Sequence, residues 1–220
     1  MPSFCPRCFW ITSHAEKQPF QIFPGIFSSI DSYSKKVTSH YYENHLRLVK
    51  WFGKAGLSGK PVKVPHFHDF NVLDTKTKIL LTGVPDEIIH LSDGSYAILD
   101  YKTAKFTGNQ DELMPMYDVQ LNAYAYIGER TGFKPVSRLM LIYYEPVTEI
   151  QKEGIDEIID ANGFRMAFTC KTLEIPLNMK KIPALLKKVR TVYDLKKPPK
   201  RIKECGDCEA LDEMVELASM

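Results

Sequence analysis

Asp86, Asp100 and Lys102 are the residues best spaced to do chemistry in this sequence. They fall in Gly83-Val-Pro-Asp86-Glu87-Ile-Ile-His-Leu-Ser-Asp-Gly-Ser-Tyr-Ala-Ile-Leu-Asp100-Tyr-Lys102-Thr103. Strand side chains alternate between faces, so Asp100 and Lys102 point the same way. A turn at Ser92-Asp93-Gly94-Ser95 folds the segment into an antiparallel hairpin. Residues 86 and 100 lie seven positions either side of Asp93, which brings Asp86 opposite Asp100. Two adjacent carboxylates repel unless a cation sits between them, so the pair is suited to Mg²⁺ or Mn²⁺, with Lys102 positioning or activating the attacking water. Such a centre hydrolyses phosphodiesters. The competing reading is a surface cluster in which Lys102 merely neutralises Asp100. Against it stand the apolar run Ala97-Ile-Leu99, the second acid at the matching hairpin position, and Gln120, which shares a helical face with Tyr117 and Tyr124.

Four of the five cysteines form a second constellation, Cys5-x-x-Cys8 and Cys205-x-x-Cys208, one pair near each end of the chain. Four thiolates at this spacing suit a tetrahedral metal site that staples the termini together. Zinc and an iron–sulfur cluster both take four Cys ligands, so spacing leaves both open. Disulfides are the weaker alternative, because nothing signals export, and neither pair has the strand-to-helix context of a redox C-x-x-C. Cys170, in Met166-Ala-Phe-Thr-Cys170, reads as a small buried core residue.

The elements that must position these groups are mixed. Apolar positions from Phe27 to Phe52 recur near helical spacing, and Gly53, Gly56 and Gly59 end that helix. A loop through Pro61 and Pro65 leads to strands over Ile79–Leu91 and Tyr96–Tyr101, the hairpin above. A helix over Met116–Arg130 stops at Thr131-Gly132. Strands follow at 139–144 and 164–177, then an amphipathic helix at 182–195. This order gives an α/β fold with a mixed central sheet flanked by helices rather than a doubly wound parallel sheet.

Composition sets the outer limits. With 220 residues, 44% hydrophobic and 11% aromatic, the chain suits one compact domain and is not a solvating disordered chain. No segment approaches the length needed to cross a bilayer, and the start has no basic segment followed by an apolar core, so no membrane association is expected and the location is read as cytoplasmic. The net charge of +2 conceals segregation. Residues 180–203 carry ten Lys or Arg and the single acid Asp194, whereas 204–220 carry six acids and no base. The basic stretch suits phosphates or an ordinary solvated surface equally.

Asp86, then Asp100-Tyr101-Lys102, then Gln120-Leu-Asn-Ala-Tyr124 resembles the PD-(D/E)XK nuclease superfamily, and the last element is similar to the Q-x-x-x-Y motif of its RecB-like branch. Cysteines at both ends resemble the iron–sulfur nucleases of that branch, which include CRISPR-adaptation exonucleases and AddB-type helicase-nucleases. The resemblance spans nearly the whole chain and implies one restriction-endonuclease-like domain over residues 1–220. It implies Asp86, Asp100 and the Tyr101 carbonyl as metal ligands, Lys102 as the catalytic lysine, Gln120 and Tyr124 lining the nucleic-acid path, and a [4Fe–4S] cluster, with Zn²⁺ the alternative, at Cys5, Cys8, Cys205 and Cys208. The first helix of such nucleases adds a His or an acid. His40 is the expected ligand, with Asp31 beside Lys35, Glu43 and His45 as alternatives. The CRISPR-associated members place one cysteine near the start and three near the end, so the two-plus-two pattern here does not assign that role.

The leading expectation is a metal-dependent nuclease on single- or double-stranded DNA, an exonuclease in repair, recombination or CRISPR-type processing, with a helicase or other nucleic-acid-processing protein as partner. A nucleic-acid-binding subunit of the same fold without hydrolysis is the alternative, and a zinc-stapled interaction protein the third.

Overall fold

The computed structural model describes residues 5–17, 24–107, 112–149 and 154–220. Helices α1 (Pro6–His14), α2 (Gly25–His45) and α3 (Lys50–Lys54) precede strands β1 (Gly59–Val62), β2 (Asn71–Asp74), β3 (Ile79–Thr82), β4 (Glu87–Leu91) and β5 (Tyr96–Lys102). Helix α4 (Met114–Thr131) leads to β6 (Val136–Pro146), a short α5 (Ile155–Ile158), β7 (Ile159–Asp160), β8 (Gly163–Phe164) and β9 (Phe168–Ile175), followed by α6 (Lys181–Tyr193) and α7 (Gly206–Ala218). Contacts group the chain into two compact units. One comprises Met1–Phe23, Leu73–Leu80 and Lys180–Met220, the other Pro24–Val72 and Leu81–Met179. Among the described residues no helix is long and apolar enough to cross a membrane.

The larger unit is built on a five-stranded sheet in the order β1-β4-β5-β6-β9. β5 and β6 run parallel and the other neighbours antiparallel, which makes the sheet mixed, as expected. The parallel pair requires a crossover, and α4 supplies it. Its apolar residues Tyr117, Leu121, Tyr124 and Ala125 recur at intervals of three and four, so one stripe is buried. Gly132 at φ 107° ends the helix, a left-handed cap that a residue without Cβ takes without strain.

Strand alternation then sorts the core. Ile88, Ile98, Leu139, Leu141 and Tyr143 pack with α4 on one face. Ile89, Ala97, Leu99, Tyr101, Met140 and Ile142 pack with Val49, Phe52 and Leu57 on the other. Helices therefore cover both faces, and β5 runs between two apolar layers with residues 97–101 all buried.

Several boundaries differ from the expectations. The helix expected over 27–52 breaks where Leu46 turns left-handed at φ 50°, and α3 restarts at Lys50. The strand expected over 79–91 is split by Gly83-Val84-Pro85 into β3 and β4, since proline has no N–H for a ladder. The loop expected through Pro61 contains strand β1, and the sheet order places β1 at an edge, the position where a strand tolerates proline. Cys170 is half-buried at the margin of the second core layer rather than inside it.

In the smaller unit, α1, α6 and α7 carry the contacts. Trp10 Nε1 donates to the Leu195 carbonyl at 2.8 Å, His14 stacks on Trp10 at 4.1 Å and on Tyr193 at 4.8 Å, and Arg7 forks onto Asp212 at 2.6 and 3.0 Å.

A buried amide ties α4 to the chain beyond β9. Asn122 is fully buried, donates to the Asp118 and Pro176 carbonyls at 2.9 and 3.1 Å, and accepts from the Asn178 amide at 2.5 Å. Asn122→Ala strands two backbone groups without partners and is expected to destabilise the fold by about 1–3 kcal/mol in urea unfolding. A change within experimental error means the latch contributes nothing.

Candidate active site

β4 and β5 pair in the register Glu87↔Leu99, Ile88↔Ile98. Continued by one step, that register sets Asp86 against Asp100, the pairing expected from the turn, and the Asp86 amide donates to the Leu99 carbonyl at 3.1 Å. Asp86 stands just before β4 rather than within it, next to Pro85, which has no N–H to extend the ladder. Its Oδ2 accepts the Tyr101 amide at 2.5 Å, and its Oδ1 lies 2.6 Å from Lys35 Nζ, which also reaches Asp31 at 2.8 Å.

Asp100 sits within the buried run of β5 and is only 4% exposed. Burial raises its carboxyl above the usual range, the Asp86 charge adds to that, and Lys102 and Lys35 oppose it. Lys102, two residues on and so on the same face, places its ammonium 2.5 Å from Asp100 Oδ2, 3.3 Å from Gln120 Oε1 and 4.2 Å from the centre of the Tyr117 ring. One turn of α4 completes the group. Gln120 Nε2 donates to Asp100 Oδ1 at 3.2 Å and to the Tyr124 hydroxyl at 2.9 Å. Gly83 closes it from the other side, because a Cβ there would overlap the Tyr124 ring.

Asp86, Asp100, Lys102, Gln120 and Tyr124 are therefore brought together, and Tyr101 joins them through its amide. His40 is not. Thr38 faces the Tyr101 hydroxyl at 3.3 Å, and His40, two residues and about 200° further round α2, is exposed. Glu43 and His45 are exposed on the following turn. Of the α2 candidates the structure draws in Asp31, through Lys35. Burial disfavours charge on Lys35, but its hydrogen bonds to Asp31 and Asp86 outweigh that and raise its pKa.

The donor set fits a hard divalent ion. Asp100 Oδ2 is buried, with the Lys102 ammonium 2.5 Å away. Asp86 lines an open cavity of about 510 Å³ together with Asp31, Lys35, Thr38, Val62 and Glu87. Oxygen donors of this kind suit Mg²⁺ or Mn²⁺.

The sequence pattern alone gives Glu87 no role. Adjacent to Asp86, it points to the opposite face, where it is 9% exposed and accepts the Tyr101 hydroxyl. Burial pushes its carboxyl up to about 7, the Tyr101 hydrogen bond opposes this, and the Asp86 charge adds to it. The alternation of β4 was the available signal: an acid between Ile88 and a site acid must face one apolar layer or the other.

In the smaller unit Cys5, Cys8, Cys205 and Cys208 form one cluster, with all four sulfurs within 4.8 Å of one another. Cys5 caps α1 and Cys205 caps α7, so each C-x-x-C occupies the cap and the third helical position. The cluster is compatible with a metal site.

A family model described as the PD-(D/E)XK nuclease superfamily matches residues 15–212. No curated protein matches the chain. Among solved structures, one described as "Crystal structure of SSO0001" is similar over 87% of this chain and 73% of its own, at 13% identity and a TM-score of 0.35.

The raised Glu87 pKa fixes a pH dependence. Below the ordinary value of 4.5 folded and unfolded chains both hold the proton, while between 4.5 and about 7 only the folded chain does. Stability is then lost as pH rises through that window, by up to about 3 kcal/mol. In chelator, Glu87→Gln is expected to flatten the wild-type decline between pH 4.5 and 7 in urea melts; parallel curves for the two proteins exclude Glu87 as the source.

Proposed function

This chain belongs to the PD-(D/E)XK nuclease superfamily, and we propose that it is a Mg²⁺- or Mn²⁺-dependent deoxyribonuclease that hydrolyses phosphodiester bonds at the Asp86–Asp100–Lys102 group. The observation that carries this reading is the convergence of the Asp86 and Asp100 carboxylates, the Lys102 ammonium and the Gln120 amide, with Asp100 buried among them. A surface salt-bridge cluster has no need of Asp100 at 4% exposure, nor of a second acid beside it.

Asp86 and Asp100, with the Tyr101 carbonyl, would hold the divalent ion. Bound there, the ion supplies Lewis-acid polarisation of the phosphoryl oxygen. Lys102 is held by Asp100, Gln120 and the Tyr117 face, so its ammonium has a fixed direction in which to orient an attacking water and offset charge gathering on the phosphate. Gln120 positions both Asp100 and Tyr124, and its place between them supports contact with the nucleic-acid strand. The Tyr101 amide fixes Asp86, and Lys35 balances the acids from α2.

The substrate is DNA, single- or double-stranded, and the Gln120-x-x-x-Tyr124 resemblance supports an exonuclease in repair, recombination or CRISPR-type processing, acting with a helicase or another nucleic-acid-processing protein. Ten basic residues over 180–203 would add phosphate contacts. The four cysteines would hold a [4Fe–4S] cluster or Zn²⁺ joining the ends of a single 1–220 domain, in the cytoplasm, where thiolates stay reduced.

With Mg²⁺ or Mn²⁺, end-labelled linear DNA is expected to be degraded and closed circular DNA spared, and Asp100→Asn should lower the rate roughly 10²–10⁴-fold while leaving the melting temperature near wild type. If no DNA substrate is cut but DNA is retained in a salt-dependent manner, the chain is a binding subunit and the catalytic reading fails.

A further inference from the structure

We infer that Cys5, Cys8, Cys205 and Cys208 hold a single tetrahedral ion of the zinc class, and not the [4Fe–4S] cluster that the family resemblance implies. The argument is one of size. Cys8 Sγ lies 3.3 Å from Cys208 Sγ and 3.5 Å from Cys205 Sγ, and Cys5 Sγ lies 3.6 Å from Cys208 Sγ. With Zn–S bonds of about 2.3 Å, the edge of a tetrahedron of sulfurs is about 3.8 Å. In a cubane cluster each thiolate binds a different iron at an outer corner, which sets the cysteine sulfurs about 6 Å apart. Even the widest separation here, no more than 4.8 Å, falls short of that.

The surroundings resist expansion. Cys5 and Cys208 are 4% and 0% exposed, so neither sulfur has free space to retreat into. Both pairs are fixed to helix starts, where the Phe9 amide bonds the Cys5 carbonyl at 3.0 Å and the Glu209 amide bonds the Cys205 carbonyl at 3.1 Å. The Arg7–Asp212 fork at 2.6 and 3.0 Å joins the same two helices. Parting the sulfurs to cubane spacing draws α1 from α7 and opens that fork.

The donor chemistry agrees. Four sulfurs without an oxygen or nitrogen donor select a soft or borderline ion over Mg²⁺ or Ca²⁺. Two helix N-termini face the cluster. Their partial positive charge favours the thiolate charge that a Cys₄ zinc site leaves in excess. Zinc is redox-inert, so the site is structural and independent of the hydrolytic chemistry at Asp86 and Asp100.

The test is metal analysis of the full chain expressed with iron and zinc both supplied and purified without oxygen. The expected result is about one zinc per chain, no acid-labile sulfide and no visible colour. Exchange into Co²⁺ should give the intense red-region bands of a tetrahedral thiolate site. Cys8→Ser is expected to lower the zinc content and weaken those bands, and if that variant does not fold, the wild-type cobalt spectrum still decides. About four irons with matching sulfide and a brown colour overturn the inference, as does protein without metal whose cysteines are oxidised in pairs. Lys102→Ala should retain full zinc, which separates this result from the fate of the nuclease reading.

Discussion

A carboxylate taken out of water must be met by positive charge, and Asp100 is the point at which the larger unit accepts that cost. It lies within a run of β5 buried on both faces, with Asp86 adding a second negative charge beside it. The surrounding architecture answers that demand. Alternation along β5 puts Lys102 on the same side, and the crossover helix demanded by the parallel β5–β6 pair brings Gln120 over it. Lys35 on α2 compensates Asp86 independently. The two apolar layers keep β5 rigid enough for these distances to hold, which links core packing directly to the direction of one ammonium group.

Asp86 and Glu87 show how far a single residue of register matters. The two are neighbours of the same charge, yet alternation sends one toward the side of the sheet that carries Asp100 and Lys102 and the other toward the Tyr101 hydroxyl. Asp86 keeps an oxygen near solvent and a lysine partner. Glu87 is sealed against the Tyr101 hydroxyl, and burial holds its proton toward neutral pH. Tyr101 connects the two, since its amide fixes Asp86 while its hydroxyl meets Glu87. Asp86 is thus braced from behind through Tyr101.

The hairpin pairing, the mixed sheet and the α4 residues were legible because they follow from local rules: a glycine turn, a period of two and a period of three to four. The turn at Asp93-Gly94 sufficed to align Asp86 with Asp100 without any knowledge of the sheet. What was not legible depended on neighbours distant in sequence. β1 reads as a loop because Pro61 weakens any isolated strand, and only its place at the edge of the sheet makes it tolerable. His40 looked like a ligand by residue type, but the rotation of α2 is set by Thr38 meeting Tyr101, a contact across 63 residues. Lys35 was visible as a neighbour of Asp31 on the helix, whereas its reach to Asp86 was not.

Helices α1 and α7 went unread for a different reason. A C-x-x-C pair suggests a turn around an ion, and the turn here is the start of a helix: cysteine at the cap and at the third position occupies the places of the two side chains in a capping box. None of the residues of α1 is fully buried, so apolar packing alone does not hold it. Its attachments are polar and terminal, through Trp10, His14, Arg7 and the cysteines. Cys8 and Cys205 are 197 positions apart. A clip across so long a loop removes much of the freedom of the unfolded chain, on the order of 5 kcal/mol in the chain-entropy account. An ion at four sulfurs can therefore stabilise a helix whose residues are at most half-buried, and it does so chiefly by restricting the states in which that helix would be loose.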